Sequence, residues 1–500
     1  MNARLSATSV RRRYVTLTAL RWLPVGITVP VMVLLASARG LSPGQIGLVF
    51  AVHSIVALLL ELPTGGLADA IGNRPVLTLS VLLGGAGLLT MATAHSVGVF
   101  ALAFGLIGAG RALDSGPLES WFVDATHAAD PDADVTAGLS RAAAANGSGL
   151  AIGAVLGGVA PLLASGAGTA VLAAPFLIAA ALDVVYLVVL LALVVPVGNS
   201  PAAHRPLLAG GRAVPRLVRE TGAAVREDGV LCRLLGIGFL TGLVLATLEL
   251  LGPLRFAALA GGTTEGTAVF GAVMAVSFGA AALGSMLAGT ARTIARGSTA
   301  AATGGLAVLA AAAVLTTALS TTVVAAAASY ALFYLANAGA WPLRQRLMHT
   351  RVTAARRNTT VSAASFSMQI GGVAGSLLIS RIAQATSATA GLAMAAAALL
   401  LIGLVSLRLP SEVEGGRMPG LVDAEPSSAG QPRLGHPAPA LVVDGSVEGD
   451  SLGAPLGDGR VDVVTDQVEL DAAGGLGRVH GHLGRRELQD QPAAPGVDRG

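Results

Sequence analysis

The chain has 500 residues, of which 53% are hydrophobic and 12% are charged, and its formal net charge is +3. A mean hydropathy of +0.71 excludes an ordinary soluble globular protein and indicates that the solvent is a lipid bilayer. The basic residues fall between apolar runs rather than in one stripe, which argues against nucleic-acid binding, and the single cysteine, Cys232, excludes an intramolecular disulfide or a multi-cysteine metal site.

Twelve apolar stretches are long enough to cross a membrane. A spanning helix needs about 20 mostly apolar residues, because the bilayer core offers the backbone no water. The first stretch follows three arginines, but its apolar run exceeds the roughly 7–15 residues of a signal peptide, so we interpret it as a span. The sequence predicts spans 1 to 12 at residues 14–37, 44–64, 76–95, 98–122, 142–164, 169–195, 231–252, 266–289, 299–319, 322–342, 359–380 and 387–407.

The distribution of arginine predicts the orientation of the chain. With the N-terminus inside, 19 arginines of residues 1–410 fall in cytoplasmic segments, and only Arg39, Arg255 and Arg381 fall in outer loops. Cationic residues are retained on the cytoplasmic side during insertion. We therefore expect a multi-pass protein of the bacterial inner (plasma) membrane with both termini in the cytoplasm.

A long polar connection divides the spans into two groups of six. We predict an N-terminal six-helix bundle at 1–195, a cytoplasmic linker at 196–230 and a C-terminal six-helix bundle at 231–410. Residues 411–500 hold 15 acidic and 7 basic residues and no spanning run, and such a composition buries too little surface to offset chain entropy. We expect a disordered cytoplasmic tail there, which is either a partner-binding segment or a dispensable extension.

A glycine-rich segment with one acid and one arginine connects spans 2 and 3. It reads Gly65-Gly66-Leu67-Ala68-Asp69-Ala70-Ile71-Gly72-Asn73-Arg74. Its glycines allow helix ends to approach closely, and Asp69 can face the positive N-terminal end of a helix. The segment 284–297 occupies the corresponding place after span 8, without the acid, which indicates that the two halves are repeats.

This segment resembles the Gly-x-Leu-Ala-Asp-x-x-Gly-x-Arg loop of the major facilitator superfamily, and the resemblance extends over residues 1–410. It implies an all-α membrane protein with about twelve transmembrane helices in two six-helix bundles and a substrate site between them. It also implies a cytoplasmic gate, which we expect to include Gly65, Leu67, Asp69, Gly72, Arg74 and Asp124. Asp124 would pair with Arg74, because Ala70 and Asn73 stand where the family usually has basic residues.

Two ionisable residues of span 4, Arg111 and Asp114, lie deeper in the membrane than Glu119, which is nearer the inner end. Insertion of an ionisable side chain at the centre of a membrane helix costs a free energy of ~2.5–3.5 kcal/mol, so each of these residues needs a partner that offsets this cost. Three residues apart, they share a helix face and can neutralise each other. The resemblance gives Arg111 the place of the superfamily's span-4 arginine, which is linked to proton coupling, and makes Asp114 a proton-binding carboxyl. The alternative is a permanent ion pair that only fixes helix packing.

Other isolated ionisable residues are candidates for proton coupling or for lining the substrate cavity. Asp183 is the deepest of them, with Tyr186 one helical turn further on. Arg21, beside Trp22, either lines the cavity or pairs with one of the acids, and His53 is a further lining candidate. The full candidate set is Arg111, Asp114, Glu119, Asp183, Glu61, Glu249 and Arg21.

Span 5 carries a glycine at every fourth position, at Gly149, Gly153 and Gly157. This spacing predicts a smooth stripe that lets two helices touch closely and rock. The stripe resembles the superfamily's exporter motif, although Ala154 stands where that motif has a helix-bending proline.

No nucleotide-binding loop, His/Glu metal pair at helical spacing or Gly-x-Ser-x-Gly elbow occurs in the sequence, so we expect neither an ATP-driven machine nor an enzyme. We predict a secondary active transporter that works by alternating access, without cofactor or metal, and exports small amphipathic molecules or drugs in exchange for protons. We expect a monomer in the lipid bilayer, with no nucleic-acid partner. The alternatives are an importer or facilitator of a small metabolite, and a non-transporting sensor or scaffold that signals through its tail.

Overall fold

The computed structural model describes residues 5–64, 67–164, 168–195, 229–351 and 354–409. Within these ranges, 12 helical segments are long and apolar enough to span a membrane, which confirms the predicted number. Residues 196–228 of the predicted linker 196–230 and the predicted tail from 411 onward lie outside the described residues, and residues 229 and 230 already belong to the helix of span 7. The spans are Ala7–Ala38, Pro43–Glu61, Asn73–Thr93, Val97–Ala129, Thr136–Leu163, Gly168–Leu193, Gly229–Ala260, Thr263–Met286, Thr299–Leu319, Val323–Met348, Ala363–Ala385 and Ala388–Leu407.

Several helices run past the predicted apolar stretches. Span 4 was predicted to end at 122 but ends at Ala129, and span 5 was predicted from 142 but begins at Thr136. A hydropathy window stops where polar residues begin, whereas backbone hydrogen bonding continues into the membrane interface. We call the end of the bundle that carries residues 5 and 409 the terminal end, and the end that carries the turns at 39–42 and 386–387 the distal end.

Spans 1 and 4 are each broken into two helices, although each was predicted as one continuous span. Span 1 consists of Ala7–Thr28 and Met32–Ala38, with Pro30 in the break, since proline lacks a backbone donor and disfavours helix at the preceding residue. Span 4 consists of Val97–Asp114 and Pro117–Ala129. Gly116 joins them at φ 111°, a left-handed conformation that glycine adopts without strain.

The remaining spans are helical over nearly their full length. A π-helical segment, Gly375–Ile379, interrupts span 11, and short helices precede spans 3 and 9. The helices are Pro43–Thr64, Leu67–Ile71, Asn73–Thr93, Thr136–Leu163, Ala174–Leu193 after the 3₁₀ turn Gly168–Ala173, Gly229–Ala260, Thr263–Met286, Ala288–Ile294, Thr299–Leu319, Val323–Arg351, Ala354–Ala374, Ser380–Ala385 and Ala388–Leu407.

The glycine stripe of span 5 packs directly on the backbone of span 1. A Cβ atom built on Gly149 would lie 3.0 Å from the carbonyl oxygen of Ala19. The same atom on Gly153 would lie 2.8 Å from the Cα of Gly26, and on Gly157 it would lie 2.8 Å from the Cα of Ile27. The predicted close helix contact is therefore present, and the helix that the stripe contacts is span 1.

The C-terminal bundle repeats this contact between spans 11 and 7. Gly371 and Gly375 lie against the carbonyl oxygens of Phe239 and Leu243, and the Oγ of Ser367 donates to the carbonyl of Leu235 at 2.7 Å. Each residue of the span 11 stripe follows its span 5 counterpart by 218 positions, as numbered in the sequence. The two bundles are structural repeats in the same helix register.

An arginine at the distal end of each half also indicates that the two bundles are structural repeats. Arg39 donates to the carbonyls of Ala92 at 2.7 Å and Ala94 at 2.5 Å, at the C-terminal end of span 3. Arg255, which follows Arg39 by 216 positions in the sequence, donates to the carbonyls of Thr317 and Ser320 at the end of span 9. A guanidinium stabilises the unpaired carbonyls of a helix C-terminus, so Arg39 and Arg255, two of the three arginines predicted in outer loops, have a structural role.

The stripe makes a testable prediction. Replacing Gly153 with leucine places a side chain against the backbone of span 1 and should destabilise the bundle by about 3 kcal/mol or more, because backbone cannot move aside as a rotamer can. We expect the thermal unfolding midpoint of the purified protein to fall by roughly 6 °C or more. Gly147→Leu on the same helix, where nothing lies within 4 Å of the built Cβ, is the control. Equal midpoints for the two variants would contradict the packing role.

Candidate functional site

The N-terminal bundle contains a partly buried ion pair between spans 1 and 4. The Nε of Arg21 donates to the Oδ2 of Asp114 at 2.9 Å, and the two side chains are 19% and 16% exposed. Asp114 is the last helical residue before the break at Gly116. The acid therefore pairs with Arg21, one of the arrangements left open by the sequence, and not with Arg111.

A second carboxylate lies beside this ion pair. Asp183 on span 6 is only 6% exposed, and its charge interacts with those of Arg21 and Asp114. The hydroxyl of Tyr186, one turn further on, is fully buried and has no hydrogen-bond partner among the described residues. One guanidinium thus lies near two carboxylates, which gives the cluster a net charge of −1 when both are ionised. The cluster becomes neutral when one of the carboxylates binds a proton.

Arg111 points away from this cluster toward the space between the two bundles. Its guanidinium lies 5.9 Å from the ring centroid of Trp22, within range of a cation–π interaction, and its side chain is exposed. Glu249 on span 7 of the other bundle is also exposed and interacts with the charge of Arg111. Opposite charges from the two bundles therefore face the same space.

Aromatic and imidazole side chains lie near these two charges, and we call the space that Arg111 and Glu249 face the central cavity. His53 contacts the carbonyl of Phe104 through Nδ1 at 3.3 Å and interacts with the charge of Arg111. Tyr334 on span 10 interacts with the charge of Glu249. Two formal charges, an imidazole and aromatic rings in one space can hold a small molecule with both polar and apolar parts.

Glu61 joins the two bundles at the side of this cavity. The amide Nε2 of Gln369 on span 11 donates to the Oε2 of Glu61 at 2.8 Å and to the Oγ of Ser365 at 3.2 Å. The predicted candidate acid of span 2 thus belongs to a contact between bundles. Gln369 was not among the predicted residues, although an amide within an apolar run is a signal that could have identified it.

The bundles also meet at the distal end. The Oε1 of Gln384 accepts hydrogen bonds from the Oγ of Ser42 at 3.1 Å and the backbone N–H of Gly44 at 3.0 Å. Gly47 lies against the carbonyl of Ser376 and the hydroxyl of Ser380, and no larger residue would fit there without displacing span 11. We call the contact formed by 42–47 with 376–384 the distal seal.

The structure describes part of the glycine segment between spans 2 and 3. Leu67 opens the short helix Leu67–Ile71, and Gly72 takes the left-handed conformation at φ 87°. Gly65 and the side chain of Asp69 lie outside the described residues. The gate role assigned to these residues stays a prediction.

Arg74 contacts span 6 instead of the predicted acid. Its Nη2 donates to the carbonyl of Leu191 at 2.6 Å, and Arg13 similarly donates to the carbonyl of Leu193 at 2.8 Å. Asp124 is exposed, and the described residues show no ion pair between it and Arg74. The unpaired carbonyls at the end of span 6 attract the guanidinium more directly than a solvated carboxylate does. Glu119 is likewise exposed, near Tyr14.

Comparisons with known proteins agree on the fold. The sequence profile of the Major Facilitator Superfamily matches residues 15–376. No curated protein matches the chain. The crystal structure of the nucleoside transporter NupG superposes with a TM-score of 0.65 at 13% identity, over 80% of this chain and 98% of that one.

Two further solved structures are similar. A bacterial homologue of the human lysosomal transporter Spinster, in an inward-facing and unoccupied conformation, has a TM-score of 0.62 at 15% identity, over 82% of this chain and 97% of its own. The peptide transporter POT in complex with sulfate has a TM-score of 0.60 at 15% identity, over 80% of this chain and 93% of its own. At these identities the likeness shows the fold alone.

Proposed function

The chain belongs to the Major Facilitator Superfamily, a family of membrane transporters, and from that premise we propose that it is a secondary active transporter that works by alternating access. A small molecule binds in the central cavity between the two bundles. The observation that carries this proposal is that Arg111 and Glu249, which come from different bundles and carry opposite charges, are both exposed and interact electrostatically, because this gives both bundles a charged group for one substrate.

Proton coupling is assigned to the buried cluster of Arg21, Asp114 and Asp183. Binding or release of one proton changes the net charge of this cluster inside the N-terminal bundle, and conformations that differ in its hydration then differ in proton affinity. The excess of carboxylates over guanidinium supports a proton-binding role over that of a permanent ion pair.

We propose that the protein is a monomer in the bacterial inner membrane, with both termini in the cytoplasm. With that orientation the distal seal faces outward, and the described conformation has its outer side closed. Transport then requires the contact of 42–47 with 376–384 to open while the terminal end closes. The Gly65–Arg74 segment is assigned to that inner gate.

We favour export of small amphipathic molecules, because the cavity joins aromatic surface at Trp22 and Tyr334 to the charges of Arg111 and Glu249. Uptake of a polar metabolite is the second candidate, since solved neighbours include proteins named as nucleoside and peptide transporters. The two directions differ in the effect of a protonophore: collapse of the gradient raises cell-associated substrate for an exporter and lowers it for an importer.

The test is a panel of dyes, antibiotics, nucleosides and short peptides in a bacterial host that lacks its main efflux systems. We expect expression of the chain to change cellular accumulation of at least one compound, and the protonophore to abolish that change.

Removal of 411–500 separates transport from signalling, since a transporter should keep its activity without the tail. Loss of function on truncation, with membrane levels unchanged, would favour the sensor or scaffold.

A further inference from the structure

A small buried cavity lies within the C-terminal bundle, between spans 9, 10 and 12 and apart from the central cavity. The centre of a water-sized sphere can occupy about 10 Å³ of it, which is room for one water molecule or one halide ion rather than an organic molecule. The polar side chains that line it are Thr303, Asn337, Arg344 and Ser406.

Two hydrogen-bond donors in this cavity lack partners within the described part of the chain. Arg344 donates through Nη1 to the Oγ of Thr241 at 3.1 Å, and its guanidinium lies 5.9 Å from the ring of Trp341. Its Nη2 is buried and has no hydrogen-bond partner among the described residues, and the same holds for the hydroxyl of the fully buried Ser406. Unpaired buried polar groups are uncommon in folded proteins, and a bound water molecule or ion is a usual explanation for them.

The C-terminal bundle has no carboxylate for Arg344. Residues 229–409 contain only two acids, Glu249 and Glu265. Glu249 lies eight residues beyond Thr241 on span 7, or about 12 Å along the helix, and it faces the central cavity. Glu265 is in the first turn of span 8, at the distal end. In the N-terminal bundle the buried Arg21 has Asp114, whereas Arg344 forms no ion pair among the described residues.

We propose that the cavity binds a small inorganic anion of halide size, held by the Nη2 of Arg344 and the hydroxyl of Ser406. A buried cation without a partner is strongly destabilising, and an anion at this position removes that cost. Since Arg344 on span 10 also bonds Thr241 on span 7, the anion fixes the contact between spans 7, 10 and 12. This site is separate from the proposed transport cavity and does not depend on the identity of a substrate.

The proposal predicts that chloride stabilises the purified protein. Replacing gluconate with chloride at constant ionic strength should raise the thermal unfolding midpoint of the wild type by about 2 °C or more, because a ligand that binds only the folded state stabilises it. Arg344→Gln should abolish the chloride effect. Ser406→Asp should also abolish the chloride effect, because the new carboxylate takes the place of the anion. For the same reason this variant should have a higher midpoint in gluconate than the wild type, so its loss of the chloride effect cannot come from misfolding.

The matched control removes another arginine of the same bundle. Arg233 on span 7 donates to the carbonyl of Arg408 and is exposed, so Arg233→Gln should keep the chloride effect of the wild type. Iodide provides a second readout, because an iodide ion bound to Arg344 lies close to Trp341 and should quench its fluorescence saturably. Trp341→Phe should remove the saturable component.

The outcomes decide the proposal without any transport assay. A chloride-dependent midpoint that is lost in Arg344→Gln and in Ser406→Asp supports the anion site even if no transported compound is found. Equal midpoints in chloride and gluconate, together with no saturable iodide quenching, would overturn it. An unchanged chloride effect in Ser406→Asp would also overturn it.

Discussion

Replacement of Asp114 with asparagine is expected to lower gradient-driven transport by about 5- to 150-fold, the range of a typical coupling free energy between two sites. The substitution removes one of the two carboxylates around Arg21, so the cluster keeps a single negative charge on Asp183 and stays neutral without a proton. The proton can then no longer bias the two conformations. Exchange of substrate without a gradient should continue, because the central cavity is unchanged.

Glu119→Gln is the matched control for this change. It removes one negative charge from the same span, but from an exposed position, and we expect transport close to that of the wild type at equal membrane levels. Asp183→Asn should behave like Asp114→Asn. If both variants drive normal accumulation, the buried cluster has no part in coupling and acts as a packing element only.

The second large effect concerns the distal seal. Gly44 and Gln384 contact each other through a hydrogen bond of 3.0 Å between the backbone of one and the side chain of the other. The native thiol of Cys232 is exposed, so it is first removed by Cys232→Ser. Cysteines are then placed at positions 44 and 384. We expect oxidation or a short bifunctional reagent to link them. Joining them holds the distal end closed, so transport should fall by about tenfold or more and return on reduction.

A second cysteine pair controls for the effect of a cross-link as such. Gly304 and Gly403 belong to the same bundle, and the Cβ built on each lies 3.4 Å from the carbonyl oxygen of the other. A link between them should leave transport intact, since these spans move together. Normal transport by the Gly44/Gln384 pair in its linked state would show that the distal seal does not open during the cycle.

Features that depend on local composition were predictable. The twelve spans follow from the length of their apolar runs, and the stripe at Gly149, Gly153 and Gly157 follows from its spacing. The spacing defines a face of the helix but does not specify that the face meets span 1. The breaks at Pro30 and Gly116 also had local signals, which a hydropathy window does not register because it averages over such positions.

Features that depend on pairing between spans were not predictable. Asp114 and Arg21 are 93 residues apart, and their contact depends on how spans 1 and 4 are rotated about their axes. Arg111 was an equally reasonable partner by helix spacing, yet it faces the central cavity. Arg39 was predicted only as an outer-loop arginine and Arg74 as part of the cytoplasmic gate. In the structure each donates to backbone carbonyls at the end of a neighbouring helix.

The most direct test of the account is transport by the purified chain in liposomes with an imposed pH gradient. The panel proposed for cells would be loaded on one side, and flux would be compared with protein-free liposomes, with and without a protonophore. The account predicts that at least one compound moves against its own concentration gradient and stops doing so when the pH gradient is collapsed. Flux equal to that of protein-free liposomes for every compound, in both gradient directions, would contradict it.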